Sequence, residues 1–216
     1  MFAYSCLHGC GSTMVEVSRL PVRYAVIVMG CAAMVAAAIW TLAFLVPVRT
    51  PFLPTTGGEV AVSSIALASA LTLLLMIESV AHERLLSDSF DPLAERDSER
   101  LKINQRVLQN TLEQLPLFAA GIAMISWLYP LETAFRGSLA ATTVWILSRW
   151  IFWIGYHFGP RHRIAGLIGS AQSMIVLLAT SVVMGWRMGG LAGATLVPSI
   201  FSIGEVLIVI GLLRRQ

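Results

Sequence analysis

The chain has 216 residues, of which 56% are hydrophobic and 12% charged, and its net charge is +3. Soluble domains carry about a quarter charged residues, so this composition excludes an ordinary soluble globular protein. The small basic excess reads as a topology signal in such a chain and gives a nucleic-acid partner no support.

Residues 1–23 read as an N-terminal tail ahead of the first apolar run. Cys6, His8 and Cys10 cluster there, but three candidates on a tail make no convincing metal site, and no metal is expected. Met14 offers an alternative start. The apolar run that follows Arg19 and Arg23 continues through Trp40 to Val46. That exceeds the core of a secretory signal, roughly 7–15 residues, so an uncleaved anchor is expected. Cys31 within it reads as a small core residue.

Six apolar stretches approach or exceed the roughly 18–20 residues that cross a bilayer as a helix: about 24–46, 60–81, 103–129, 137–158, 166–186 and 190–213. No segment alternates with period two, so helices rather than a barrel must satisfy the backbone in lipid. The prediction is an all-α, multi-pass integral membrane protein. Segment 46–59, rich in Pro and Gly, is an irregular connection, and the charged stretch 82–100 is a solvated surface. Placing both termini inside gathers Arg19, Arg23, Arg84, Arg96, Arg100, Lys102, Arg106, Arg161, Arg163, Arg214 and Arg215 on the cytoplasmic side. Only Arg49, Arg136 and Arg187 are left outside, as the positive-inside tendency prefers.

The third span begins with RVLQNTLEQLPLF (106–118). Arg106, Asn110 and Glu113 fall at i, i+4 and i+7, on one helical face. A cation, an amide and a carboxylate on one stripe at the membrane edge are costly unless they pair or bind something. Arg149 and Tyr156 make a second stripe in the fourth span. Arg149 lies about two turns from the span's cytoplasmic end, too deep for snorkelling alone to explain it. Arg163 follows in the next loop. The two stripes enter from the same side and could share one pocket. Trp127, Trp150, Trp153 and Trp186 are candidates for the interfacial belts, and His157 and His162 have no metal-ligand partners at convincing spacing.

The pattern Arg106-x3-Asn110-x2-Glu113-x2-Pro116 resembles the second helix of the MAPEG family, the membrane-associated proteins in eicosanoid and glutathione metabolism. The segment Arg149-x5-Gly155-Tyr156-x6-Arg163 resembles that family's third helix and following loop, and Arg84 looks like the arginine ending its first helix. The resemblance covers 60–186. It implies a MAPEG-like four-helix bundle there, with one extra transmembrane helix at each end, within 24–59 and 187–216.

It also implies a homotrimer binding glutathione, with a lipophilic substrate drawn from the bilayer and no metal. Arg84 and Arg106 would hold carboxylates, Glu113 the ammonium, and Asn110 and Tyr156 would orient the ligand. Arg149 would support the network, and Arg163 would stabilise the reacting thiolate. Leu108, Gln114 and Phe152 depart from the polar or tyrosyl groups of well-studied members. The expected function is a glutathione transferase or peroxidase. The alternatives are a non-catalytic lipid- or partner-binding member and, ranked last, a small transporter using Arg149, Glu113 and Glu205 as a charge path.

Overall fold

A computed structural model describes residues 22–47, 54–87, 97–159 and 161–213. Cys6, His8, Cys10, Arg19, Arg49, Arg96, Arg214 and Arg215 lie outside the described residues. The described chain is helical: α1 (Val22–Leu45), α2 (Gly57–Ser69), α3 (Leu75–Leu86), α4 (Glu99–Leu128), α5 (Leu131–Phe158) and α6 (Ile168–Leu213). A π-helical turn, Ala70–Leu74, fuses α2 and α3 into one rod, and a 3-10 turn, Ile164–Leu167, precedes α6.

Four helical stretches are long and apolar enough to cross a bilayer: Val22–Leu45, Gly57–Leu86, Glu99–Leu128 and Ile164–Gly211. The chain is an all-helical, multi-pass integral membrane protein. The last stretch is two limbs, because Gly189 and Gly190 leave helical geometry and Gly190 takes φ 59°, which favours glycine. Beyond that break the chain folds back, and a Cβ on Gly185 would sit 2.3 Å from the Gly193 carbonyl oxygen.

Local chemistry sets the helix starts. Thr56 caps α2 by accepting from Glu59 N, while Glu59 reaches back to Thr55 N at 2.6 Å. Ser98 caps α4 by accepting from Leu101 N at 3.0 Å. Pro116 sits inside α4, and the helix runs on past it to Leu128. The π-helical turn leaves a carbonyl to be satisfied, and Trp150 Nε1 donates to Leu71 O at 2.8 Å. Trp150 is therefore tied to a helix rather than serving only as an interfacial belt residue.

The core lies between α2, α4 and α5, where Ala68, Phe118, Ile122, Ala141 and Trp145 pack together. Phe118 and Trp145 stack with centroids 4.7 Å apart. A second cluster of Met76, Val107 and Phe152 lies nearer the arginine-rich end.

Helix α1 buries no residue fully. Cys31 is exposed on it, correcting the expectation of a core residue. An all-apolar helix carries no stripe to announce which face meets protein and which meets lipid. Polar contacts hold α1 towards its C-terminal end. Arg136 donates to the carbonyls of Ala43, Phe44 and Val46 at 3.0, 3.2 and 2.8 Å, and Trp40 Nε1 donates to Gln172 Oε1 at 2.8 Å.

Candidate functional site

One face of α4 and the last turns of α5 enclose a polar pocket of about 330 Å³, lined by Arg106, Gln109, Asn110, Glu113, Phe152, Tyr156 and Arg163. The helical period alone explains four of these. Residues 106, 109, 110 and 113 recur at i, i+3, i+4 and i+7, and Phe152 and Tyr156 stand one turn apart on α5. Five residues picked from the sequence, Arg106, Asn110, Glu113, Tyr156 and Arg163, thus come together.

Arg163 reaches the pocket through a close backbone approach. A Cβ on Gly155 would lie 2.5 Å from His162 O and 2.8 Å from Arg163 N, so only glycine lets the loop settle there. The Arg163 guanidinium then lies over the Tyr156 ring, 4.6 Å from its centroid. Phe152 meets the same ring edge-on with centroids 5.6 Å apart. Glu113 accepts from Gln109 Nε2 at 2.9 Å, which fixes its carboxylate. Among the described residues Arg106 and Arg163 have no carboxylate partner. The pocket therefore offers two cations, one anion, two amides and a phenol beside an aromatic wall.

Arg149 stands behind this pocket and is wholly buried. Its Nη1 donates to Asn110 Oδ1 at 3.1 Å, and its Nη2 donates to Gly166 O at 3.0 Å and Ser170 Oγ at 2.8 Å. Ser170 in turn hydrogen-bonds Gln114. The guanidinium lies over the rings of Trp145 and Phe152, with centroids 5.0 and 5.2 Å away. Arg149 thus orients Asn110 from within the bundle and does not line the pocket.

Arg84, in the last turn of α3, does not line it either, and its buried Nε makes no hydrogen bond. Gln109 was missed, although its place on the α4 stripe could have revealed it. Gln114 and Ser170 were missed as partners because their link depends on how α6 packs.

A second polar contact lies on the opposite side of the α4–α5 seam. Trp153 Nε1 donates to Asn104 Oδ1 at 2.9 Å, and His157 Nε2 meets the same oxygen at 3.1 Å. Trp153 is therefore a packing residue rather than only an interfacial belt residue, and His157 has a partner.

An all-helical membrane protein with a charged pocket between two helices is the class that this fold and site define. The MAPEG family model matches residues 61–186, and the chain belongs to the MAPEG family. It is 31% identical over 124 residues to an uncharacterized protein, sll1147, of Synechocystis sp., a match covering 57% of this chain and 86% of that protein. No solved structure matches.

Proposed function

We propose that the chain binds glutathione in the α4–α5 pocket and uses it as a transferase or peroxidase acting on lipophilic substrates. The carrying observation is that Arg106, Asn110, Glu113, Tyr156 and Arg163 line one pocket. In this reading residues 60–186 form a four-helix unit of the family type, flanked by one extra span at each end. Both termini are cytoplasmic, and copies assemble as a trimer with Arg84 supplied to a neighbouring site.

Glutathione carries two carboxylates, an ammonium and a thiol. Arg106 suits a carboxylate because its guanidinium forks onto two oxygens. Glu113, held by Gln109, suits the ammonium. Arg163 would favour the thiolate over the thiol, whose free pKa is about 8.5. In the transferase reaction the sulfur forms a bond to an electrophilic carbon and the leaving group departs with its electron pair. In the peroxidase reaction the thiolate sulfur bonds to the terminal oxygen of a hydroperoxide as the O–O bond breaks, giving a sulfenic acid and an alkoxide that takes a proton. A second glutathione then gives the disulfide and water. Arg163 beside the sulfur is the group this chain would contribute to either step.

The family includes catalytic and non-catalytic members. The second reading is accordingly a non-catalytic member that binds lipid or a partner, favoured by the added spans and by Phe152, which puts an apolar ring where a phenol would help bind or activate the ligand.

Glutathione binding by the purified protein, with thiolate absorbance followed against pH in the wild type and in Arg163→Ala, separates the two. Binding with a lowered thiol pKa that returns towards its free value in Arg163→Ala supports the enzyme. Binding without thiolate formation leaves a scaffold, and no binding at millimolar glutathione supports the lipid- or partner-binding reading.

A further inference from the structure

A larger cavity, about 540 Å³, opens on the other side of the α4–α5 seam, between the last turns of α3, the first turns of α4 and the end of α5. It is separated from the first pocket by the cluster of Met76, Val107 and Phe152. We propose that this cavity binds the headgroup of a zwitterionic aminophospholipid, phosphatidylethanolamine, independently of the thiol pocket.

Three observations carry the inference. The first is charge. Arg100 faces the cavity with Glu83 and Glu99, and Lys102 pairs with Glu99 at 2.9 Å. Among the described lining residues one cation faces two carboxylates, so the cavity offers both signs, which suits a zwitterion and disfavours a net anion.

The second is that parts of the site are already fixed without a ligand. Glu83 accepts from Ser98 Oγ at 2.7 Å. Asn104, only 7% exposed, accepts from both Trp153 and His157. The indole can only donate, so the Asn104 amide orientation is set, and the second bond places a proton on His157 Nε2. In the imidazole form, a proton on Nε2 leaves Nδ1 as an acceptor. A primary ammonium therefore meets two carboxylates, one imidazole nitrogen and the aromatic Trp153, while Arg100 and His82 can donate to a phosphate.

The third is position. The cavity lies at the arginine-rich end of two membrane-crossing stretches, Gly57–Leu86 and Glu99–Leu128, where headgroups sit, and Leu86 at its margin is 86% exposed. Glycerol and acyl chains can therefore leave the cavity along an apolar edge.

The test is native mass spectrometry of the full chain in detergent, stripped of lipid and titrated with phosphatidylethanolamine, phosphatidylcholine or phosphatidylglycerol. The expected result is a single phosphatidylethanolamine retained per chain at energies that strip the other two. Arg100→Ala should cut that retention about ten-fold, the loss expected for one charge-assisted hydrogen bond. Arg163→Ala should leave retention unchanged, so this site and the glutathione pocket can fail separately. If Arg100→Ala does not fold, Glu83→Gln serves instead and should shift preference towards phosphatidylglycerol. Equal retention of the three lipids, or unchanged retention in a folded Arg100→Ala or Glu83→Gln, would overturn the proposal. So would saturation by soluble phosphoethanolamine with no lipid retained.

Discussion

Arg149 donates to Asn110 across the α4–α5 interface at 3.1 Å, joining a wholly buried cation to a residue of the polar pocket. The Asn110 amide is therefore held from behind by a group that does not itself line the pocket. Arg149→Met should leave Asn110 Oδ1, Gly166 O and Ser170 Oγ without their donor. The expected loss is about 2–4 kcal/mol of stability, read as a lower Tm in detergent. Arg149→Lys should recover only part of it, because an ammonium cannot fork to three acceptors on a planar frame.

Gly155→Ala tests how Arg163 is placed. The new Cβ would meet backbone atoms of His162 and Arg163 at 2.5–2.8 Å, so the loop must move. Glutathione affinity should fall about ten-fold, an effect of misplacement rather than lost chemistry. In an Arg163→Ala background the same change should cost little more, because its effect runs through that side chain. Calorimetry on the four proteins of the cycle checks this.

Glu113→Gln keeps a side chain that Gln109 can contact but removes the charge. Glutathione binding should weaken by about 1–2 kcal/mol, while a tripeptide analogue lacking the ammonium should bind both proteins alike. Equal losses for the two ligands would place the ammonium elsewhere.

The fold-back of α6 depends on a tight crossing. Gly185→Val should force the two limbs apart and lower Tm by several degrees, since the new side chain would meet the Gly193 backbone. Gly204→Val should be near neutral by the same measurement, because nothing among the described residues lies within 4 Å of a Cβ there.

Much of the site was legible because helical period is written directly in sequence spacing. Arg106, Asn110 and Glu113 could be placed on one face without knowing any neighbour. The break between 166–186 and 190–213 was also visible, and Gly189 and Gly190 are where the helix leaves its geometry. What depended on packing was not legible. Arg149 points inward because Gly166 and Ser170 on the following segment accept from it, and spacing cannot show that. Trp150 and Trp153 suited the interfacial belts by type, yet their N–H groups are taken by Leu71 and Asn104. Cys31 was misplaced because a uniformly apolar helix does not say which side faces lipid.

Among the described residues, the polar contacts that tie α1 to the rest of the bundle lie near one end, at Trp40, Ala43 and Phe44, with Val46 just beyond it. Its other half meets α5 and the 3-10 turn across a groove of apolar side chains, including Ile27, Val35, Leu147 and Ile168. In a bilayer such contacts trade with lipid tails at little cost, whereas hydrogen bonds to orphan carbonyls do not. α1 is thus attached like a blade on a pin. The half of α1 remote from Arg136 is therefore held to the bundle by apolar contacts alone, and separating it there would break none of the hydrogen bonds that anchor the other end.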